Sequence, residues 1–328
     1  MEKNTINYDF KEVSSMGGDN IMKWNSELWL GQFRTASQAK DSFQLHMLRT
    51  DVFHSTLQIV GRGSYHAENG DVVNLEVNND IGIQSKFYSS EINTHGLRGN
   101  FDTKIYAVND DCLAYARKLS ETEDDVCVLN MANRRNPGGG VLNGAGAQEE
   151  YLFRCSDYFR SLYQYIDYSG MYGVLRANNS YPLDRNFGGI FSPSVTIFRG
   201  LEEEGYPLLE KPWKVNMVAV PAVSNPRTIS IDGVVRIAPD LINGVQNKMR
   251  TVLRIAAING QKTLVLGALG CGAFRNPPLH TAELFKEVIS EPEFANVFRR
   301  ICFVIKEDHN SRGEGNFKPF AEVFGTEE

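Results

Sequence analysis

From about residue 101 to residue 305, short apolar runs alternate with stretches of helical periodicity, and this alternation restricts the chain to few folds. The apolar runs predict strands or extended segments at residues 104–108, 126–132, 194–198, 215–220, 263–266 and 301–305. The periodic stretches predict helices at residues 111–119, 149–167, 240–259 and 277–289. Strands that alternate with helices predict an α/β fold whose sheet is largely parallel and covered on both faces.

The first hundred residues have a different pattern. Between residues 28 and 60 the apolar side chains recur at mostly helical intervals, which predicts one or two helices, and residues 71–77 predict a short strand. The one plausible boundary lies near residues 95–100. We therefore expect an accessory N-terminal extension over residues 1–98, packed on a main domain over residues 99–328.

Composition narrows the class of protein. Hydrophobic residues at 42% and charged residues at 23% are typical of a soluble globular protein, and no apolar run approaches the roughly 18 residues of a membrane helix. The start of the chain lacks the pattern of a signal peptide. Five cysteines without C-x-x-C spacing indicate neither a disulfide framework nor a zinc site, so we expect a reducing, cytoplasmic location. A net charge of −6 disfavours DNA or RNA as the main partner.

A glycine-rich loop lies between the strand predicted at 126–132 and the helix that follows it. Residues 136–150 contain five glycines and end in Gln148, Glu149 and Glu150. The order strand, glycine loop, helix is typical of α/β proteins that bind an anion with backbone N–H groups. It is not a dinucleotide fingerprint, because Asn143 stands where the third glycine is needed, and no P-loop motif occurs.

Glu149 and Glu150 are adjacent carboxylates at a predicted helix N-terminus. A simpler explanation is that they complement the helix dipole. A loop built to approach phosphate would, however, be poorly served by two uncompensated negative charges beside it. Neighbouring helix residues point about 100° apart, so one carboxylate can orient a sugar while the other reaches the bond to be cleaved.

A second glycine loop, residues 267–274, follows the strand predicted at 263–266. It could be no more than a tight turn, but two such loops at the carboxyl ends of strands in one sheet favour a shared diphosphate cleft. Cys271 is disfavoured as a nucleophile because no histidine pairs with it in the sequence. The run Glu202-Glu203-Glu204 is typical of a solvated turn or helix face. No clustered histidines or carboxylates indicate a metal site, and we expect neither a metal nor a cofactor.

The spacing Gly138-Gly139-Gly140, seven residues, then Gln148-Glu149-Glu150 resembles the signature of poly(ADP-ribose) glycohydrolases, which are macrodomain proteins. Asn136-Pro137 and residues 267–278 resemble the microbial type. The resemblance covers about residues 101–310 and extends more weakly to Arg49 and the turn at residues 63–65. It implies a macrodomain-like three-layer α/β/α fold with a mixed, mostly parallel central sheet, a mainly helical N-terminal extension, and a catalytic domain over residues 99–328.

The resemblance also implies roles for individual residues. Glu150 would be the catalytic acid and base, and Glu149 would hydrogen-bond ribose and position the scissile bond. Substrate-binding positions would be Asn133, Asn136, Gly138, Gly139, Gly140, Gln148, Gly270, Cys271, Gly272, Ala273 and Phe274. The two glycine loops would hold the diphosphate, either asparagine would contact ribose, and Phe274 would cover a sugar unless it is a core aromatic.

The implied activity is hydrolysis of ribose–ribose O-glycosidic bonds in poly(ADP-ribose), with release of ADP-ribose. The expected partners are ADP-ribose and its polymer, including polymer on modified proteins, with no direct DNA, RNA or membrane binding. Two alternatives stay open at this point. The domain could bind ADP-ribose without turnover, or it could hydrolyse mono-ADP-ribosylated substrates through the same acid.

Overall fold

The structure is a computed structural model that describes residues 23–307 and 315–327. Its α-helices are α1 (Ser26–Gln38), α2 (Ser42–Arg62), α3 (Ile81–Gln84), α4 (Cys112–Ser120), α5 (Gln148–Cys155), α6 (Phe159–Leu162), α7 (Pro239–Ile258), α8 (Pro278–Ile289) and α9 (Phe317–Phe324). Its strands are β1 (Ser64–His66), β2 (Val72–Asn74), β3 (Lys86–Tyr88), β4 (Lys104–Val108), β5 (Val126–Met131), β6 (Gly189–Arg199), β7 (Leu208–Val220), β8 (Thr228–Ile231), β9 (Val234–Ile237), β10 (Thr263–Leu266) and β11 (Arg300–Val304).

The main sheet has seven strands in the order β3-β6-β7-β5-β10-β11-β4. The strands from β7 to β4 in this order pair in parallel, whereas β6 is antiparallel to both of its neighbours. The sheet is therefore mixed and mostly parallel, as predicted. Because parallel strands share one direction, their carboxyl ends meet at a single edge, and the loops that leave this edge form the site described below.

Successive side chains on each strand enter different cores, which gives the sheet two buried faces. On β5, Val128 belongs to one hydrophobic cluster and Leu129 to the other. The first cluster includes Phe53 from α2 and Phe153 from α5, and the second includes Phe285 from α8. Helices on both faces make the three-layer α/β/α arrangement that the resemblance implied.

The helix predicted at 149–167 was wrong in its length. Helix α5 ends at Cys155, where Ser156 adopts an extended conformation and forms a β-bridge with Ile197. The Asp157 side chain then accepts a hydrogen bond from the Thr196 N–H at 2.7 Å. Backbone pairing with β6 thus interrupts the helix, although the apolar periodicity continues beyond it.

Several elements were not predicted, namely α3, β1 and β3 in the N-terminal region, and β8, β9 and α9 in the main domain. Strands β8 and β9 form an antiparallel hairpin around Asp232 and Gly233, both of which have positive φ. Helix α9 packs on β4 and α8 near the end of the chain. Among the described residues, no helix is both long enough and apolar enough to span a membrane.

The N-terminal region is joined to the sheet as well as packed on it. Helix α2 places the Phe53 ring 6.3 Å from that of Phe153, and β3 forms the antiparallel edge of the main sheet beside β6. The division between residues 98 and 99 stays a prediction, and residues 1–22 of the predicted extension lie outside the described part of the chain.

Candidate active site

A cleft of about 510 Å³ lies at the carboxyl edge of the sheet. Loops that follow the five parallel strands all contribute to its lining, with Asp110 after β4, Asn133 after β5, Ala222 after β7, Phe274 after β10 and Lys306 after β11. This volume is in the range of sites that enclose small-molecule ligands. The first turn of α5 brings Gln148, Glu149 and Glu150 into the same lining.

The Glu149 carboxylate is buried and accepts three hydrogen bonds. Its Oε2 accepts from the Asn133 N–H at 2.6 Å, and its Oε1 accepts from the Gly138 N–H at 3.0 Å and from Asn130 Nδ2 at 3.3 Å. Donors from the end of β5 and from the glycine loop therefore fix this carboxylate from two sides.

The Glu150 carboxylate is held by backbone alone. Its Oε1 accepts from the Gly140 N–H at 2.8 Å, and its Oε2 accepts from the Ala147 N–H at 3.1 Å. Ala147 is the residue before α5, so Glu150 folds back over the start of its own helix in the manner of a capping box. The side chain is 7% exposed and faces the cleft.

The first glycine loop differs from its expected role as a phosphate cradle. The N–H groups of Gly138 and Gly140 bind the two glutamates, and that of Gly139 donates to the Asn136 carbonyl at 2.9 Å. All three N–H groups are thus used within the protein. The expectation of free N–H groups here was wrong, because the carboxylates at the end of the loop take the place of an anionic ligand.

The two glutamates form a pair without a cationic partner. In the described ranges, no lysine, arginine or histidine makes a salt bridge to either carboxylate. Burial, and then the neighbouring Glu150 carboxylate, raise the pKa of Glu149 to about 8. The protonated form of Glu149 is therefore favoured near neutral pH.

The raised pKa of Glu149 makes the free energy of unfolding of the protein depend on pH. The folded-state pKa of Glu149 lies above its unfolded value, so its contribution to the free energy of unfolding is fully present below about pH 4.5 and is lost as the pH rises through about 8. We expect the wild-type protein to lose stability across this window relative to Glu149→Gln, with a slope of at most about 1.4 kcal/mol per pH unit. Urea unfolding of both proteins at pH 6 and pH 8.5 measures this difference, and parallel pH dependences would contradict it.

Gln148 lines the cleft, but its amide is committed to the end of strand β5. Its Oε1 accepts from the Met131 N–H at 2.9 Å, and its Nε2 donates to the Leu129 carbonyl at 2.6 Å. These bonds hold the first turn of α5 against the strand. Gln148 therefore anchors the helix that carries both glutamates, and its Nε2 also donates to the sulfur of Cys112 at 3.8 Å.

The second glycine loop has the free donors that the first lacks. Within the described part of the chain, the N–H groups of Gly270, Gly272, Ala273 and Phe274 have no protein acceptor. Asn276, whose side chain is buried, holds the loop in shape, since its Nδ2 donates to the carbonyls of Val223 at 2.8 Å and Gly270 at 3.1 Å. This loop, and not the first, has the geometry of an anion-binding nest.

The remaining predicted residues separate into those that reach the cleft and those that do not. Asn133 and the half-buried Phe274 line it. Asn136 is exposed and lies outside the lining. The Cys271 side chain is buried in the core, and burial raises the pKa of its thiol to about 12, so a thiolate nucleophile is disfavoured.

Glu202 was wrongly interpreted as part of a solvated run. It lines the cleft and accepts two hydrogen bonds from Arg49, at 2.8 and 3.0 Å, and one from Tyr206 at 2.6 Å. Arg154, fully buried, donates to Tyr206 and to the Ala145 carbonyl in the loop before α5. Arg49 and Arg154 are far from Glu202 in sequence, so no local pattern could have indicated these two ion pairs.

Asp110 and Asp111 were also missed, although a signal existed. They directly follow β4, and polar residues at the carboxyl end of a parallel strand are expected to face a ligand cleft. Asp111 caps α4 and accepts from the Tyr151 hydroxyl at 3.0 Å. Among the described residues, no group of three or more His, Cys, Asp or Glu side chains could hold a metal ion.

The chain is similar to known glycohydrolases in sequence and in structure. Residues 54–200 match the family model described as microbial-type PARG, catalytic domain, where PARG stands for poly(ADP-ribose) glycohydrolase. No curated protein matches the chain.

Two groups of solved structures are similar to it. The poly(ADP-ribose) glycohydrolase of Thermomonospora curvata bound to the inhibitor ADP-HPD has 29% identity and a TM-score of 0.66, over 84% of this chain and 99% of that one. The enzyme of Deinococcus radiodurans in complex with ADP-ribose has 30% identity and a TM-score of 0.57, over 74% of this chain and 95% of that one.

Proposed function

The chain belongs to the poly(ADP-ribose) glycohydrolase family and is thus a hydrolase of that polymer, and we propose that Glu150 is the general acid and base that cleaves its ribose–ribose O-glycosidic bonds. One observation carries this assignment. Glu150 faces the cleft from a position fixed by two backbone N–H groups, at the edge where the loops after all five parallel strands meet.

In the first step, the protonated Glu150 donates its proton to the ribose oxygen of the leaving unit as the bond from that oxygen to the anomeric carbon breaks. The positive charge that develops on the sugar lies beside a carboxylate pair to which no cation among the described residues makes a salt bridge. Glu150, now ionised, accepts a proton from water as the water oxygen bonds to the anomeric carbon, and ADP-ribose is released. A positioned acid and base of this kind contributes about 10² to 10⁴ in rate.

We assign to Glu149 the role of binding the ribose. Its carboxylate is held by Asn133, Gly138 and Asn130, so it can accept a hydrogen bond from a sugar hydroxyl without moving. Gly138, Gly139 and Gly140 then act on the substrate indirectly, through the two carboxylates, and Gln148 acts indirectly by anchoring α5.

We assign binding of the diphosphate to the second glycine loop. The N–H groups of Gly270, Gly272, Ala273 and Phe274 supply donors for phosphate oxygens, with Cys271 contributing backbone only. Phe274 covers the adjoining sugar, and Asn133 contacts ribose from the opposite wall. Asn136, which lies outside the lining, stays a weaker candidate for a ribose contact.

Incubation of the purified protein with polymer and, separately, with mono-ADP-ribosylated protein tests the proposal. We expect ADP-ribose to be released from the polymer. Calorimetric binding of ADP-ribose without any product would identify a binding domain, and release from the mono-modified protein alone would identify the other substrate class. Either result would overturn the proposal.

We also propose that polymer attached to modified proteins is a substrate and that the protein works in a reducing, cytoplasmic setting. All five cysteines are free thiols, and four of them are buried, which supports a reducing environment. A protein that formed disulfides when purified without reductant and kept full activity would contradict this setting.

A further inference from the structure

The last part of the first glycine loop, residues 144–147, leads directly into α5, and we call it the pre-helix segment. The Ala147 N–H at its end donates to Glu150 Oε2 at 3.1 Å. The Ala145 N–H donates to the Gly140 carbonyl at 3.2 Å, and the Gly140 N–H donates to Glu150 Oε1 at 2.8 Å. The position of the pre-helix segment therefore sets the position of both backbone donors that hold the Glu150 carboxylate.

Helix α2 contacts the pre-helix segment so closely that no side chain fits at two of its positions. A Cβ on Gly144 would overlap the backbone carbonyl of His46. A Cβ on Gly146 would overlap Nη1 of Arg49. Both of these contacts come from α2, which belongs to the N-terminal region. The segment that positions Glu150 thus rests on the N-terminal region as well as on the main domain.

An ion pair fixes Arg49 at this contact. Its Nη2 donates to Glu202 Oε1 at 2.8 Å and its Nε donates to Glu202 Oε2 at 3.0 Å, and two such bonds restrain a guanidinium in direction as well as in distance. The guanidinium carbon lies 5.1 Å from the centroid of the Phe33 ring on α1. Arg49 is buried and lies outside the cleft lining, whereas Gly146 and Glu202 both line the cleft. Arg49 therefore acts on the cleft through these two neighbours.

Arg154 holds the same segment from within α5. Its Nη1 donates to the Ala145 carbonyl at 2.7 Å, and its Nε donates to the Tyr206 hydroxyl at 2.7 Å. Tyr206 in turn donates to Glu202 Oε2 at 2.6 Å. Glu202 thus joins Arg49 to Arg154, and the two arginines contact adjacent residues of the pre-helix segment. We call Arg49, Glu202, Tyr206 and Arg154 the arginine clamp.

We propose that Arg49 is a positioning residue for hydrolysis, which keeps the pre-helix segment in place through the arginine clamp so that both backbone donors stay on Glu150. The inference rests on the proposed function, in which Glu150 is the acid and base. A displacement of about 1 Å in a catalytic group is enough to lower a rate strongly. The N-terminal region is then required for catalysis, although none of its described residues lines the cleft.

A simpler explanation is that the pair of Arg49 and Glu202 only stabilises the fold. The chain offers a matched pair for comparison, in which Arg250 donates to Glu291 from Nη2 at 2.7 Å and from Nε at 2.9 Å. The carboxylate side chain is 27% exposed in both pairs. The second pair lies outside the cleft lining. Loss of either arginine removes a similar ion pair, so a difference in kcat between the two losses reports on positioning.

Arg49→Met tests the proposal because methionine keeps much of the apolar stem and loses the donors. We expect kcat on polymer to fall about tenfold. The loss is partial because Arg154 still holds Ala145. Arg154 also lies 3.7 Å from Glu202 Oε2, so that carboxylate keeps a cationic partner and KM should change less than about threefold. Initial rates on polymer and thermal melts measure these effects.

Arg250→Met is the control. We expect a similar fall in melting temperature and wild-type kcat. Wild-type kcat in folded Arg49→Met would overturn the proposal, as would equal falls in kcat in the two variants. A raised KM with unchanged kcat in Arg49→Met would also overturn it, because Arg49 would then only neutralise the Glu202 charge.

Gly146→Ala provides a second test if Arg49→Met does not fold. The added Cβ would overlap Arg49 Nη1, so the guanidinium or the pre-helix segment must move, and kcat should fall about fivefold. Gly170→Ala is its control, because no atom lies within 4 Å of the Cβ added there and neither glycine has a positive φ. Equal kcat values in the two alanine variants would overturn the proposal.

Failure of the proposed function would be seen separately. It would appear as retained turnover in Glu150→Gln, whatever the result for Arg49→Met. An inactive Glu150→Gln together with wild-type kcat in Arg49→Met would reject the role of Arg49 alone.

Discussion

Glu150→Gln should lower kcat on poly(ADP-ribose) by about 10³-fold while the Kd for ADP-ribose changes less than about threefold. Glutamine has nearly the shape of glutamate but cannot give up a proton to the leaving ribose oxygen. One of its two terminal atoms still accepts from Gly140 or Ala147, so the side chain keeps part of its support. Initial rates on polymer, with calorimetric titration of ADP-ribose, measure the two quantities.

Glu27→Gln is the control for the helix-dipole explanation. Glu27 also lies in the first turn of a helix, α1, but it is exposed and outside the cleft. Losing a first-turn charge costs about 0.3–1 kcal/mol of stability and nothing in catalysis. If Glu150→Gln behaves like Glu27→Gln, with a small change in melting temperature and full activity, then Glu150 only complements the dipole and the role assigned to it is wrong.

Gly139→Ala should lower kcat by about a hundredfold with the fold retained. A Cβ at this position would overlap Oε1 of Glu150 and lie 3.2 Å from Oε2 of Glu149, so at least one carboxylate must leave its position. A displacement of about 1 Å in a catalytic group is enough for an effect of this size. The backbone there has φ of +56°, which costs a further 1 kcal/mol or so for a side chain.

Gly260→Ala separates the two effects. Gly260 has φ of +76° and no atom within 4 Å of the Cβ that would be added, so only the backbone cost applies. We expect a similar loss of stability and an unchanged kcat. Equal activities for the two alanine variants would show that Gly139 is required by the backbone and not by the carboxylates.

Strands β4, β5, β10 and β11 of the main sheet could be predicted closely because each is a short, mostly apolar run, whereas β3 was missed and β6 and β7 extend well beyond the predicted segments. Those at residues 104–108 and 263–266 agree residue for residue with β4 and β10. The hairpin of β8 and β9 was missed since its strands are mostly exposed and lack a core face. The Asp232-Gly233 pair at its turn could nevertheless have predicted a β-hairpin.

The site could be predicted as a set of residues but not as a set of contacts. The Gly-Gly-Gly and Gln-Glu-Glu spacing indicated which residues meet, and the structure brings both glutamates into one cleft with the second loop. Sequence could not show that the first loop binds the glutamates instead of phosphate. A glycine whose N–H group is free and a glycine whose N–H group donates to a side chain ten residues later, as Gly140 does to Glu150, look the same in a sequence. Tertiary partners such as Arg49 and Glu202, 153 residues apart, leave no local pattern.

Strand β3 has a practical consequence for shortened versions of this protein. It pairs with β6 through residues Lys86, Phe87 and Tyr88, all before the boundary that the pattern of strands and helices suggests. A fragment that starts at residue 99 would leave the backbone of Gly189–Phe191 open to solvent at a sheet edge, and open edges recruit strands from other molecules. Such a fragment would be recovered as aggregate, so useful truncations must begin upstream of the β3 residues even when only the cleft is of interest.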